Sequence, residues 1–233
     1  MTAGVASREL VDDLRAALHP SRVRVGPSEL SLYRKDASNM EGAAGVVCLP
    51  ETAAEVQACV RIASRHGVAF VPRGSGTGLA GGAVPIGGEV VISLTKMNQV
   101  ISVDAVNRRA WVQPGVLNLD LSRQVDHLGL HFAPDPSSQQ TCSIGGNVAN
   151  NSGGPHCLAE GVTNAHILGV RVVLPEEALV GVVTGAVLSS ASLSRDADGR
   201  VVTEVRPGTE EEIVAFCRDR YSCQRTGRAT AFT

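Results

Sequence analysis

The first fifty residues carry two hydrophobic patterns in succession. Apolar residues between Leu10 and Leu18 recur at the three- and four-residue spacing of an amphipathic helix, with a candidate N-cap at Ser7. Pro20 stops this pattern. Residues 46–49 are a short apolar run of β-type residues. The pattern therefore predicts an opening helix and then a strand.

A second helix and a second strand follow at once. Thr52 and Glu55 have the spacing of a capping box, and an apolar stripe runs along the same segment as far as Ala63. Gly67 is the expected C-cap of this helix, and residues 68–71 are strand-like. Strand, helix and strand within so few residues predict a compact βαβ unit.

Short strands dominate the next part of the chain. Residues 90–94, 100–103 and 109–112 are strand candidates, and residues 117–128 have an apolar helical face closed by Gly129. No helix is expected between residue 74 and residue 90. The mixture of short strands and helices predicts an α+β fold.

Regular patterns then become rare. Residues 132–161 are rich in Pro, Ser, Asn and Gly, so they are predicted to be a long ordered loop, which a compact domain keeps only for a ligand. Residues 167–174 and 180–184 are strand candidates, and Thr209 begins a last helix. We expect a lead-in at 1–45, a main domain at 46–184 and a C-terminal tail at 185–233.

Composition narrows the possible functions. Hydrophobic residues make up 43% of the 233 residues and charged residues 19%, which is typical of a globular protein. Aromatic residues are only 3%, and the net charge is -2, so neither stacking platforms nor a basic field is available for a nucleic acid. The apolar runs are shorter than the roughly 18 residues of a membrane span, and the N-terminus does not resemble a signal peptide. We therefore expect a cytoplasmic protein that reaches the inner membrane only through partners.

The 6 cysteines are scattered along the chain. They form no C-x-x-C pair and have no zinc-finger spacing with histidine, so buried free thiols and no metal site are expected.

The strongest chemical signal is the glycine-rich run 73–82, which directly follows a predicted strand. Backbone N–H groups can converge on a phosphate only where residues reach positive φ freely, and glycines supply that freedom. Ser75 and Thr77 add hydroxyl donors, and Arg73 adds charge at the rim. A plain mobile loop is the alternative.

Two other nucleotide loops fit this run less well. Gly76, Gly78 and Gly81 match the nicotinamide fingerprint G-x-G-x-x-G, but its last glycine must open a helix that faces the pyrophosphate. Pro85 and further glycines follow instead, which exclude that helix. The lysine of a nucleoside-triphosphate loop is missing too.

Several ordered motifs together resemble one family. These are residues 71–78, the pattern Leu94-x-x-Met97-Asn98-x-Val100, Asp104, residues 113–116 and residues 134–163. They resemble the FAD-binding domain of the vanillyl-alcohol oxidase type, in particular the FAD-linked subunit of glycolate oxidase and D-lactate dehydrogenases. The resemblance implies two small α/β subdomains with the flavin between them.

The resemblance also implies which residues bind FAD. In this family the first loop holds the pyrophosphate by its main chain, and the segment 134–154 runs along the flavin. The implied cofactor-binding residues are Arg73, Gly74, Ser75, Gly76, Thr77, Gly78, Pro134, Asp135, Ser137, Thr141, Ser143, Ile144, Gly145, Gly146, Asn147, Asn150, Gly153, Gly154, Gly161 and Val183. For each asparagine, the alternative is that it merely braces a turn.

Some details bear on the chemistry. Relatives that attach FAD covalently use a histidine in the first loop, where this chain has Ser75 and Thr77, so non-covalent FAD is expected. His156 and Cys157 are interpreted as packing and capping residues.

The match weakens after Pro175, where the chain resembles a family member with an internal deletion. No histidine follows Thr184, so the family's substrate domain, with its metal ligands and catalytic base, is expected to be missing. The catalytic residues are therefore unassigned.

Three hypotheses remain. The first is an FAD-dependent component of a D-2-hydroxyacid (glycolate or D-lactate) dehydrogenase, with a small 2-hydroxy acid as substrate and a substrate-domain or iron-sulfur subunit as partner. The second is a non-catalytic FAD-binding fragment. The third is a small reductase of the enolpyruvyl reductase type.

Overall fold

The computed structural model describes residues 6–173, together with the backbone of three short strands at 185–186, 194–195 and 201–202. Two four-stranded sheets, each with its own core, organise this part of the chain.

The first sheet follows the N-terminal helix and is mainly parallel. Its strands are β1 (Val23–Arg24), β2 (Val46–Cys48), β3 (Phe70–Arg73) and β4 (Val90–Ser93), in the order β1-β2-β4-β3. Strands β2 and β3 both pair in parallel with β4, and β1 pairs with β2 in the antiparallel sense. The helices of this half are α1 (Arg8–Ala17), α2 (Pro27–Ser31) and α3 (Ala53–Arg65). Because β3 and β4 are parallel neighbours, their carboxyl ends lie at the same edge of the sheet.

Apolar stripes on α1 and α3 build the first core. Leu10 and Leu14 of α1 are fully buried, and they share a cluster with Val60 and Ile92. The Ser7 side chain accepts a hydrogen bond from the backbone N–H of Leu10 at 3.2 Å, which satisfies a donor at the start of α1. The predicted opening helix is thus confirmed.

The second sheet is antiparallel, in the order β5-β6-β8-β7. Its strands are β5 (Val100–Asp104), β6 (Arg109–Val112), β7 (Ile167–Gly169) and β8 (Gly185–Ala186), and a separate pair consists of β9 (Ser194–Arg195) and β10 (Val201–Val202). The helices of this half are α4 (Asn118–Val125), α5 (Ile144–Asn150) and α6 (Cys157–Glu160). Val112, Leu121 and Ile144 lie in its core. The predicted α+β fold is confirmed.

Three predicted boundaries are wrong, each for a local reason. The strand predicted at 68–71 is Phe70–Arg73, because the N–H of Val68 bonds to the carbonyl of Ala63 and closes α3 with Gly67 at φ 63°. Strand β7 ends at Gly169, since its partner β8 is only two residues long. Leu128 is 41% exposed, because a 3₁₀ turn after α4 carries it out of the α-helical stripe.

The segment 132–161 is not the single loop that its composition predicts. It contains α5 and the short α6. Glycines at 145 and 146 lower the helix propensity of α5, but fully buried Ile144 and the Ser143 cap stabilise it. The strand predicted at 180–184 and the helix predicted from Thr209 lie outside the described residues.

Candidate cofactor-binding site

A large cavity lies beyond the carboxyl ends of the parallel strands β3 and β4. Its volume is about 1580 Å³, and its walls are residues 73–83, residues 136–155 and a third strip at 171–173. Crevices at the carboxyl ends of parallel strands are the usual ligand sites of such sheets. Pockets for drug-sized ligands are roughly 300–1,000 Å³, so this cavity has room for a dinucleotide.

The first wall presents unused backbone donors. Gly76 and Gly81 have φ of 73° and 77°, the left-handed conformation that glycine adopts without strain. Within residues 6–173, the N–H groups of residues 75–78 donate to no protein acceptor, and neither do the hydroxyls of Ser75 and Thr77. Consecutive free N–H groups along a cavity wall are suited to an anion.

Neither the backbone conformation nor the packing requires a glycine at position 78. Its φ is not positive, and a Cβ built there would meet nothing closer than the Asn150 side chain at 3.7 Å. The residue lines the cavity. The space that this glycine leaves open is therefore available to a ligand.

Arg73 does not place its charge at the rim, and that expectation was wrong. The residue is 7% exposed, and its guanidinium donates to the carbonyl of Lys35 at 2.7 Å and to that of Ala83 at 2.9 Å. It also lies over the Tyr33 ring, 5.6 Å from the centroid. Burial lowers the pKa of this guanidinium, and the charge of Asp36 opposes that shift. The side chain points into the protein because carbonyls there take up its donors.

The second wall is built on the N-terminal turn of α5. The Ser143 side chain accepts from the N–H of Gly146 at 3.3 Å. A Cβ at Gly145 would lie 2.6 Å from the Cβ of Pro114, and a Cβ at Gly74 would collide with the Ser143 hydroxyl. These glycines thus bring the two walls and the residue 114 turn into close contact.

Three asparagines at this wall have different tasks. Asn147 is 1% exposed, and its side-chain nitrogen has no hydrogen-bond partner within the described residues. It lies beside the Cys142 thiol, where burial raises the pKa and the amide partly offsets the rise. A thiol is a weak acceptor, so the amide keeps its donor capacity. Asn150 donates to the carbonyl of Gly146, and Asn151 braces a turn at φ 49° as the alternative interpretation supposed.

Asp135 joins the two ends of the second wall. It accepts from the backbone N–H of His156 at 3.4 Å, and it lies 2.6 Å from Nδ1 of the same histidine. This contact lowers the pKa of Asp135 and raises the pKa of His156. The His156 side chain is 74% exposed, so its predicted packing role was wrong, and although His156 stands at the N-cap position of α6, its side chain makes no cap hydrogen bond. Cys157 is exposed as well, whereas Cys48, Cys59 and Cys142 are buried free thiols.

The cavity brings together most of the residues predicted from the sequence. Those that line it are Arg73, Gly74, Ser75, Gly76, Thr77, Gly78, Ser137, Ser143, Gly145, Gly146, Asn147, Asn150, Gly153 and Gly154. Those outside its lining are Pro134, Asp135, Thr141, Ile144 and Gly161, and Val183 lies outside the described residues. Pro134 and Ile144 are buried, Thr141 is exposed, and Gly161 ends α6 at φ 80°.

Sequence reasoning missed Asp36 and Ala37, which come from the lead-in yet line the cavity. The carboxylate of Asp36 accepts from the N–H of Ser38 at 2.8 Å, and its other oxygen is buried without a partner among the described residues. Burial raises the pKa of Asp36, but the interactions with Ser38, the Ala83 backbone and the charge of Arg73 together outweigh it, and the pKa is lowered overall. The Asp-x-Ser spacing of this turn was the available signal.

The sequence matches the family described as the FAD binding domain over residues 44–182. The chain belongs to this FAD binding domain family. Its likeness to relatives confirms the resemblance and makes the chain a member of a family of FAD-dependent oxidoreductases. FAD is therefore its cofactor.

Two relatives illustrate the sequence similarity of this chain to known proteins. The glycolate oxidase subunit GlcD of Bacillus subtilis (strain 168) is 37% identical over 180 residues, which are 77% of this chain and 37% of that protein. The D-2-hydroxyglutarate dehydrogenase of Stutzerimonas stutzeri (strain A1501) is 36% identical over 165 residues, or 70% of this chain and 36% of that protein. The chain thus spans 37% and 36% of the length of these two relatives.

Solved structures agree on the fold. Alkyldihydroxyacetonephosphate synthase matches with a TM-score of 0.71 at 22% identity, over 82% of this chain and 45% of that one, which shows the fold alone. The 4-ethylphenol oxidase from Gulosibacter chungangensis matches with a TM-score of 0.65 at 26% identity, over 75% and 35%. The predicted vanillyl-alcohol oxidase type of fold is confirmed.

Two kinds of feature are absent from the described residues. No helix there is long and apolar enough to cross a membrane. No group of three or more His, Cys, Asp and Glu side chains in the same residues could hold a metal ion.

Proposed function

We propose that the main chain of residues 74–78 holds the FAD pyrophosphate, without a covalent link to the protein. The observation that carries this is the row of N–H groups at 75–78 that have no acceptor among the described residues, beside the Ser75 and Thr77 hydroxyls, which have none there either. Backbone donors converging on one space bind an anion without a cationic side chain. Ser75 and Thr77 stand where a covalently linked flavin would need histidine.

The second wall is proposed to contact the rest of the cofactor. Asn147 supplies a buried amide donor for a carbonyl or ring nitrogen, and the small residues Gly145, Gly146, Gly153 and Gly154 let the backbone approach a planar ring. Pro134, Asp135, Thr141, Ile144 and Gly161 support this wall from behind, and Val183 is retained from the family resemblance. The bound flavin would supply the hydride acceptor.

A matched pair of glycine substitutions tests the loop assignment. Gly78→Val fills open cavity space without a strained φ, so it should abolish most FAD binding and leave the circular dichroism spectrum unchanged. Gly87→Val is the control, because a Cβ there meets only Glu89 at 3.9 Å and the residue is outside the cavity lining. FAD binding is measured by quenching of flavin fluorescence. Full FAD affinity in the Gly78 variant would refute the loop assignment.

Gly76→Val is a less clean variant. Gly76 has φ of 73°, and a Cβ there would also collide with the Arg73 guanidinium. A loss of FAD would then have two causes. Gly78 is therefore the decisive position.

The proposed reaction is oxidation of a small D-2-hydroxy acid such as glycolate or D-lactate. The relatives named glycolate oxidase subunit, D-lactate dehydrogenase and D-2-hydroxyglutarate dehydrogenase support this class. One of these names identifies a subunit, which supports a substrate-domain or electron-accepting partner for this chain as well.

Turnover is tested by dye reduction with excess FAD and a panel of D-2-hydroxy acids, with and without a candidate partner subunit. We expect negligible dye reduction by the chain alone, because it matches only 37% of the length of the B. subtilis relative. Addition of the partner should restore it. Rapid turnover by the isolated chain would place catalytic groups within it, and His131 and His156 would be the first to substitute.

A further inference from the structure

We propose that Arg73 is a positioning residue, whose guanidinium fastens the lead-in segment 33–40 to the glycine loop and so holds the cofactor cradle in shape. This inference rests on the proposed function, in which residues 74–78 hold the pyrophosphate. In this proposal the positively charged Arg73 has a structural role and does not contact the phosphate.

The donors of Arg73 are already used within the protein. One terminal nitrogen donates to the carbonyl of Ala83, at the far end of the loop, and the other donates to that of Lys35 in the lead-in. Both bonds are short, at 2.9 Å and 2.7 Å. A guanidinium has a fixed planar fork, so it can hold two carbonyls in a defined relation. Arg73 therefore links the start of the loop, its end and the lead-in.

Other contacts join the glycine loop and the lead-in as well. The N–H of Ala37 donates to the carbonyl of Gly78 at 3.1 Å. The Met40 side chain lies where a Cβ at Gly81 would be, and the Tyr33 ring covers the guanidinium. The contacts run along the whole loop. The lead-in therefore packs against the glycine loop.

The positive charge of Arg73 is compensated inside the protein. Asp36 lies close enough to interact with Arg73 electrostatically, and both residues line the cavity. Arg73 is 7% exposed, so its charge is largely shielded from solvent by Tyr33 and the surrounding backbone. A buried cation that has carbonyl acceptors, a ring and a nearby carboxylate is already compensated.

The consequence is that the cofactor site begins before the region that matches the family. That match starts at residue 44. The contacts that tie the glycine loop to residues 33–40 through Arg73, here called the clamp, lie earlier in the chain. Preorganised N–H groups bind an anion well because the loop does not have to be ordered on binding. Loosening the clamp should reduce FAD affinity without removing any atom that touches the cofactor.

The test compares Arg73→Lys and Arg73→Gln with Arg61→Lys, a control on the exposed face of α3. Lysine keeps the positive charge but loses the planar fork, and glutamine loses both. If Arg73 is a clamp, both variants should bind FAD at least about tenfold more weakly than the wild type. The salt dependence of FAD binding should be the same in Arg73→Gln as in the wild type. Arg61→Lys should bind FAD like the wild type.

Hydrogen exchange without FAD provides a readout that is independent of cofactor binding. In Arg73→Lys the Ala37 amide should exchange faster, while the amides of β4 stay protected. Unchanged exchange at Ala37 would overturn the clamp. A second outcome would also overturn the clamp: Arg73→Lys binds FAD as tightly as the wild type, and Arg73→Gln shows a shallower salt dependence of FAD binding. That pattern indicates that Arg73 contacts the phosphate directly.

A second pair of variants covers the case in which the Arg73 variants do not fold. Tyr33→Leu removes the ring over the guanidinium and should weaken FAD binding, whereas Tyr33→Phe keeps the ring and should not. Equal FAD affinity in the two Tyr33 variants would overturn the clamp. If the wild-type chain binds no FAD, the proposed function fails, and faster exchange at Ala37 still reports on the clamp.

Discussion

Gly74 and Ser143 are in such close contact that a single methyl group on the glycine would collide with the serine hydroxyl. The glycine follows β3 and the serine caps α5, so this contact joins the two walls of the cavity. It brings together residues that are far apart in the sequence. The shape of the cavity depends on it.

Gly74→Ala should destabilise the protein by about 1–3 kcal/mol, because the added methyl forces the two walls apart. Ser143→Ala should cost about 1 kcal/mol through loss of the cap. The double variant should be nearly as stable as Ser143→Ala, since the colliding hydroxyl is gone. Urea unfolding of all four proteins measures the coupling. Strictly additive losses would contradict the contact.

The Asp135 and His156 pair should make stability depend on pH. The hydrogen bond with Asp135 raises the pKa of His156 above 6.5, so its stabilisation is complete below that value and disappears as pH rises through the raised pKa. The pKa of Asp135 is lowered from 3.8 by the same bond, so its contribution is present above 3.8 and disappears as pH falls through the lowered value. The pair therefore stabilises most between 3.8 and 6.5.

His156→Gln should lower the thermal midpoint near pH 5.5 and have a progressively smaller effect as the solution becomes alkaline. Thermal unfolding at a series of pH values measures this difference. His127→Gln is the control, on a 3₁₀ turn away from the pair. A midpoint difference that is constant with pH would show that the ion pair contributes nothing.

Cys157 should be the fast-reacting thiol among the four described cysteines. It is exposed, whereas Cys48, Cys59 and Cys142 are buried, and burial raises the pKa of Cys142 and so disfavours its reactive thiolate. Native titration with a thiol reagent, in a background where Cys217 and Cys223 are replaced by serine, should show one fast phase that Cys157→Ser removes. Persistence of that phase would contradict the assigned burial.

All six thiols should react after denaturation, in keeping with the proposed cytoplasmic location. A disulfide in protein prepared from a reducing cytosol would contradict that location.

Asn118 should be important for the position of the second wall. It is 1% exposed, and its side chain donates to the carbonyl of Pro134 at 2.9 Å, where the predicted cofactor segment begins. Asn118→Ala should cost about 1–3 kcal/mol of unfolding free energy, because a buried carbonyl loses its donor. Asn98→Ala, at an exposed position, should cost far less. Equal costs would show that the buried bond is unimportant.

The sequence by itself determined the features that depend on neighbouring residues. The Ser7 cap, the Gly67 helix end, strands β2 to β7 and the glycine loop are set by spacing, capping chemistry and backbone freedom within a few residues. Strands β1 and β8 were not among the predicted elements. The ordered motifs also identified the family and its cofactor. These properties are local, so a linear pattern can encode them.

Only the tertiary structure decided which side chains face the cavity. Arg73 turns inward because it donates to the carbonyl of Lys35. Lys35 lies 38 residues earlier in the chain, so no local sequence pattern records this contact. Helix α5 forms despite its glycines because Ile144 is buried among residues of the second sheet and of α4. The lead-in became part of the site for the same reason. Long-range packing selects among conformations that the local sequence leaves open.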